Sequence, residues 1–131
     1  MASMLRARTF CLTAVVGLLL ACTTQPIRNV TEAPVPNPGL TDEQMAAAIK
    51  RAGAGLGWAM AQQGPGKMEA TLHLRKHVAV VGIDYNPKTY SIAYKDSTNL
   101  NYDAKGPKIH RNYNGWIQNL DNAIKVQLTN Y

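Results

Sequence analysis

The sequence predicts an α+β fold in which an N-terminal and a C-terminal helix flank a three-stranded antiparallel meander, in the order α-β-β-β-α. Apolar residues recur at helical spacing after Thr41 and again between residues 108 and 128. Between these segments, residues 67–95 contain three runs of strand-like residues. Their short connections require antiparallel neighbours. Both helices are therefore expected to pack on one face of the sheet, leaving the other face polar or available as an interface.

The first 21 residues are excluded from this fold because they have the pattern of an export signal. Arg6 and Arg8 form a basic start, and apolar or neutral residues continue from Thr9 to Ala21. A permanent membrane-spanning helix needs about 20 apolar residues, so this run is too short to be one. A basic start, a short apolar run and a small residue at its end indicate a signal peptide over residues 1–21.

The end of this run, Leu19-Leu20-Ala21-Cys22, resembles the lipobox of bacterial lipoproteins. The resemblance implies that the signal is cut before Cys22 and that this residue is lipidated. Two or three acyl chains make such an attachment effectively permanent. Thr23 stands where an inner-membrane retention signal would have Asp, so the resemblance favours the outer membrane, facing the periplasm. The alternative is an ordinary cleaved signal followed by an incidental cysteine.

Removal of the signal and lipidation of Cys22 also determine which cysteines and which charges remain in the mature chain. Cys11 leaves with the signal and the lipid occupies Cys22, so the mature chain has no thiol for a disulfide, a metal site or a nucleophile. Removal of Arg6 and Arg8 leaves 12 basic residues against 8 acidic residues, a net charge of +4. This is an ordinary solubility charge, although it also suits anionic headgroups. Nucleic acid is excluded as a partner by the compartment.

Residues 22–39 are predicted to form a lipidated, proline-rich tether, and residues 40–131 a single domain. Pro34, Pro36 and Pro38 disfavour both a helix and a continuous strand. In an extended form, the tether would hold the domain roughly 50 Å from the lipid.

The first predicted helix begins with a capping box, in which Thr41 caps the helix and Gln44 reaches back to the Thr41 amide. Gly64-Pro65-Gly66 is predicted to end it. Glycines at positions 53, 55 and 57 weaken the helix, which a close approach to the sheet would explain. Its apolar positions are Met45, Ile49, Ala52 and Leu56, extended by Trp58 and Met60.

The three strands are predicted from their apolar residues. Met68 to Leu74 alternates with polar residues, Val78–Tyr85 is valine-rich as expected of a central strand, and Tyr90 to Tyr94 alternates again after an Asn86-Pro87-Lys88 turn. Residues 96–106 are predicted to form a loop.

The last element is predicted to be a helix from about Lys108 to Leu128. Its polar side is expected to include Asn114, Asn119, Asp121 and Lys125. Its apolar face is Tyr113, Trp116, Ile117, Leu120, Ala123, Ile124 and Leu128.

Motifs that would indicate catalysis are weak, and no catalytic residue, cofactor or metal ligand is predicted. His73 and His77 flank a predicted hairpin turn at Arg75-Lys76, so their four-residue spacing does not bring them together as it would on a helix. The glycines of residues 53–57 follow no strand and do not form a dinucleotide fingerprint. A small periplasmic metal-binding protein or enzyme using His73, His77 and His110 remains the alternative hypothesis.

The best candidate binding surface is rich in tyrosine, asparagine and basic residues, which suit contacts with proteins or glycans. The sequence therefore favours a non-catalytic, membrane-anchored envelope module that binds an envelope protein or a glycan. A structural subunit of an envelope assembly is a further alternative. Residues 90–102 and 109–116 also look similar to a group of small proteobacterial lipoproteins, a resemblance that implies no known activity. The candidate surface comprises Tyr94, Asn99, Asn101, Tyr102, Lys105, His110, Arg111 and Asn114.

Overall fold

The structure, a computed structural model, describes residues 23–131 and confirms the α+β class with two helices. The predicted signal peptide, residues 1–21, and the predicted lipidation site, Cys22, lie outside the described residues. In chain order the elements are β1 (Thr24–Pro26), β2 (Val30–Pro34), α1 (Asp42–Gly55), β3 (Ala59–Gly64), β4 (Lys67–Leu74), β5 (His77–Tyr85), β6 (Thr89–Thr98), β7 (Lys108–His110) and α2 (Arg111–Thr129).

The predicted three-stranded meander is wrong, because the main sheet has five antiparallel strands in the order β2-β6-β5-β4-β3. The three predicted strands are its interior, and the valine-rich strand β5 is at its centre, as expected. Leu74 pairs with His77, which confirms the two-residue turn at Arg75-Lys76. A second sheet of two strands, β1 and β7, lies apart from the first.

Strand β3 occupies a segment that was expected to continue the first helix. Helix α1 ends at Gly55, and Gly57 then adopts a φ of +87°. This left-handed conformation favours glycine and turns the chain back, so that Met60 pairs with Ala70 of β4. A Cβ on Gly53 would lie 2.2 Å from the Met60 sulfur. The expected close approach to the sheet is therefore confirmed at Gly53.

The tether and the domain boundary at residue 40 also need correction, because most of residues 24–34 are paired strands. Val30 is buried opposite Ile92 on β6, and Pro34 pairs with Thr89. The register shifts between these pairs, where Glu32 has a φ of 47°. Proline is tolerated because β2 is an edge strand, which needs donors on one side only. The folded unit therefore begins at the second described residue.

Both helices bury their apolar faces in a single core with one face of the main sheet. The predicted capping box of α1 is confirmed, since the Thr41 hydroxyl accepts from the Gln44 amide at 3.2 Å and the Thr41 amide donates to Gln44 Oε1 at 2.9 Å. Helix α2 begins at Arg111 rather than Lys108, because residues 108–110 pair with β1.

Candidate functional site

The described chain enters the fold directly beside the start of α2. The Thr23 carbonyl accepts a hydrogen bond from the Arg111 amide at 2.9 Å, and Thr24 pairs with His110. The Ile27 amide then donates to the Pro107 carbonyl at 2.9 Å. No free spacer therefore separates Thr23 from the folded body.

The two tyrosines of the predicted surface have different environments. The rings of Tyr94 and Tyr102 stack with their centroids 4.1 Å apart, and Tyr94 also meets the edge of buried Tyr113 at 5.8 Å. Burial raises the pKa of the Tyr94 hydroxyl, which hydrogen-bonds to Ser97 Oγ at 2.8 Å. Tyr102 is 40 % exposed. Tyr94 therefore supports the surface from beneath, and Tyr102 is the ring available to a partner.

The asparagines of the predicted surface also divide into two groups. Asn99 donates to the Lys76 carbonyl at 2.8 Å. Asn114 accepts from the Arg28 amide and donates to the Pro26 carbonyl, both at 2.9 Å. These two amides hold neighbouring segments together. Asn101 is exposed, with a φ of 52° that asparagine tolerates better than most residues.

The remaining three residues of the predicted surface, Lys105, His110 and Arg111, lie between the loop before β7 and the first residue of α2. The His110 amide donates to the Leu100 carbonyl at 2.8 Å, which joins the loop to the helix start. His110 also caps α2, because its Nδ1 accepts from the Asn112 amide at 3.2 Å. Lys105 and Arg111 are both exposed. This part of the predicted surface therefore contributes two exposed cations, Lys105 and Arg111, from the chain segment that follows the exposed Tyr102.

The histidines behind the metal hypothesis do not form a recognisable ligand set. His77 Nδ1 lies 2.8 Å from the Asn99 carbonyl, and its ring tilts against Trp116 at 6.3 Å. His73 is exposed on β4, and His110 is the helix cap. Within residues 23–131, no group of three or more histidine, aspartate or glutamate side chains is arranged to hold a metal ion.

The sequence interpretation placed Asp121 on the solvent side of the second helix, and this is wrong. Asp121 is 3 % exposed and accepts a 2.5 Å hydrogen bond from the Tyr90 hydroxyl of β6. Lys125 closes the cluster with a 3.1 Å ion pair. Burial, together with the hydrogen bond and charge of Asp121, raises the pKa of Tyr90. The cluster ties α2 to the sheet and has a structural role.

Neither helix in residues 23–131 is long and apolar enough to cross a membrane. Comparison of the chain with protein-family models, curated proteins and solved structures gives no match. The case for a function therefore comes from the chain's own residues.

Proposed function

We propose that the protein is a lipid-anchored lipoprotein of the bacterial cell envelope, whose folded part is a non-catalytic binding module for an envelope protein or a glycan. The anchor is the acylated thiol of Cys22, and the outer membrane, facing the periplasm, is the destination. The observation that carries the proposal is the segment Leu19-Leu20-Ala21-Cys22, which follows a basic start and a short apolar run.

The position of the cysteine relative to the fold supports this proposal. Thr24 already pairs with His110, so removal of residues 1–21 leaves every described strand and helix in the product. In the sequence, Cys22 directly precedes Thr23, the first residue that the structure describes.

Metabolic labelling tests the anchor. Cells that express the chain should incorporate labelled palmitate into it, and the label should fractionate with membranes. Cys22→Ser should lose the label, whereas Cys11→Ser should keep it because this residue lies inside the removed signal. Absence of label from the wild-type chain, or its retention by Cys22→Ser, would contradict the proposal.

The binding role rests on the surface that contains Tyr102, which is 40 % exposed, together with the exposed Lys105 and Arg111. Aromatic and arginine side chains dominate the binding energy of most protein interfaces. Cross-linked envelopes should yield a specific protein or peptidoglycan partner with the wild-type chain, and Tyr102→Ala and Arg111→Ala should each reduce its recovery at least about tenfold.

Lys88→Ala is the matched control for these pull-downs. Lys88 is exposed in the β5–β6 turn, at the opposite end of the main sheet from Arg75-Lys76. Its loss should leave recovery of the partner unchanged. Recovery of the same material by all three variants would refute the binding role of this surface while leaving the anchor intact.

A further inference from the structure

Exposed basic side chains collect at the end of the molecule where Thr23 enters the fold. Hydrogen bonds connect the segments of this end in sequence: Asn99 donates to the Lys76 carbonyl, the His110 amide to the Leu100 carbonyl, and the Arg111 amide to the Thr23 carbonyl. We refer to residues 75–77 and 99–111 together as the basic end.

The basic end contains the entire net charge of the described chain. Five of the 12 lysines and arginines of residues 23–131 lie there, with one of the eight acids, Asp103. The remaining seven basic and seven acidic residues balance one another over the rest of the fold. All five basic side chains are exposed. They are Arg75, Lys76, Lys105, Lys108 and Arg111.

The position of this charge at the start of the fold is informative because the rest of residues 23–131 has equal numbers of basic and acidic residues. Glu69 and Lys95 form an ion pair across the open sheet face. Asp121 and Lys125 form another on α2. At the basic end, Asp103 instead accepts from the Lys105 backbone amide at 2.9 Å, in a turn of its own loop. Within residues 75–77 and 99–111, five basic side chains therefore accompany one acidic side chain, and Asp96, whose charge acts on Tyr94, lies just outside this range.

We propose that the basic end rests on the anionic phospholipid headgroups of the bilayer that holds Cys22. This inference rests on the anchor of the proposed function, and it replaces the roughly 50 Å stand-off expected of an extended tether with direct contact. It makes headgroups, rather than an envelope protein or a glycan, the occupant of the surface that contains Tyr102 and Arg111. Each basic residue near an anionic surface strengthens binding about fivefold, and the effect is screened within a Debye length. The lipid confines the domain within that distance, and the cations then orient it.

This orientation has a consequence for the rest of the molecule. The strands of the main sheet run away from the turn at residues 75–76, and the longest, β6, has 10 residues. At about 3.3 Å per residue, the opposite end of the sheet lies roughly 30 Å from the headgroups. The Asn86-Pro87-Lys88 turn therefore faces away from the membrane.

Vesicle binding without the anchor tests the surface by itself. The chain from residue 22 with Cys22→Ser retains the whole described core and cannot be acylated. At low salt it should bind vesicles of phosphatidylcholine that contain about 30 % phosphatidylglycerol, and it should not bind vesicles of pure phosphatidylcholine. Binding to both kinds of vesicle, or to neither, would overturn the proposal.

Charge reversal identifies the residues responsible. The triple variant Lys105→Glu, Lys108→Glu, Arg111→Glu should bind anionic vesicles at least about a hundredfold more weakly. The matched control reverses three exposed lysines of the balanced remainder: Lys50, Lys67 and Lys88. It makes the same change in net charge and should bind severalfold more tightly than the triple variant. Equal losses in the two variants would show a general charge effect and overturn the assignment. Unfolding curves check that each variant is folded.

The palmitate label and the vesicle assay separate the two proposals. A labelled Cys22 with no preference for anionic vesicles refutes the basic end and leaves the lipoprotein proposal standing. Vesicle binding without a label on Cys22 refutes the anchor and leaves a peripheral membrane-binding surface.

Discussion

The buried hydrogen bond between Tyr90 and Asp121 gives the sharpest test of the packing of α2 on the sheet. Tyr90 is 1 % exposed and Asp121 is 3 % exposed, and their oxygens are 2.5 Å apart. Tyr90→Phe removes the donor, Asp121→Ala removes the acceptor, and the double variant removes both. Lys125 remains present in all three variants.

The expected free-energy changes follow from what each variant leaves unpaired. A hydrogen bond to a charged group contributes about 1.5–3 kcal/mol, so Tyr90→Phe should cost about 2 kcal/mol. Asp121→Ala should cost about 3 kcal/mol, because it leaves the Tyr90 hydroxyl buried without an acceptor and Lys125 without its ion pair. Removing both partners costs less than the sum, and the coupling free energy should be about 2 kcal/mol.

Urea unfolding at neutral pH, followed by circular dichroism, measures the four free energies of unfolding. The slope of the free energy of unfolding against urea concentration should be the same in all four proteins, since the surface exposed on unfolding barely changes. A coupling free energy below about 0.5 kcal/mol, the usual value for independent sites, would refute the argument that this bond ties α2 to β6.

Three further predictions concern stability. Tyr113→Phe should stabilise the fold by about 1 kcal/mol, since the Tyr113 hydroxyl is buried with no hydrogen-bond partner, and a lower urea midpoint would contradict this. Burial raises the pKa of Tyr90 and Tyr113 above the ordinary value of 10, so stability present below pH 10 should be lost above it. Above pH 10, each of these two tyrosines lowers the free energy of unfolding by about 1.4 kcal/mol per pH unit. Tyr113→Phe should therefore reduce the slope of the free energy of unfolding against pH by that amount. Gly66→Ala should cost more than 1 kcal/mol by thermal unfolding, because Gly66 has a φ of +68° and a Cβ would lie 2.7 Å from the Tyr85 carbonyl oxygen. Gly64→Ala, where a Cβ meets nothing within 4 Å, should cost far less.

The elements that were predicted correctly are those whose signal is local. The capping box at Thr41 and Gln44 lies within four residues. The alternation of Met68, Ala70 and Leu72 reports a half-buried strand without reference to its neighbours, and all three side chains are buried.

The edge strands were missed because their formation depends on distant partners. The segment Ala59–Gly64 has no β-branched residue, and its apolar residues also suit a helix; only pairing with β4 makes it a strand. Pro34 argued against a strand, yet Val30 gains burial against β6, about 60 residues away in the chain.

The candidate site was predictable in composition but not in role. Tyr94 was predicted in a strand and Tyr102 in a loop, but only the fold shows that the two rings stack and that Tyr102 is the one left exposed. Asp121 looked solvent-facing because its acceptor role depends on Tyr90, which is 31 residues earlier in the chain. The basic end could not be predicted for the same reason, since tertiary hydrogen bonds bring its segments together: Asn99 donates to the Lys76 carbonyl, and the His110 amide donates to the Leu100 carbonyl.

Intact mass spectrometry of the protein extracted from membranes tests the central claim most directly. The account predicts a chain that begins at Cys22 and carries the mass of two or three fatty acyl groups, with the added mass on the N-terminal peptide. A chain that retains residues 1–21, or one whose Cys22 is a free thiol, would contradict it.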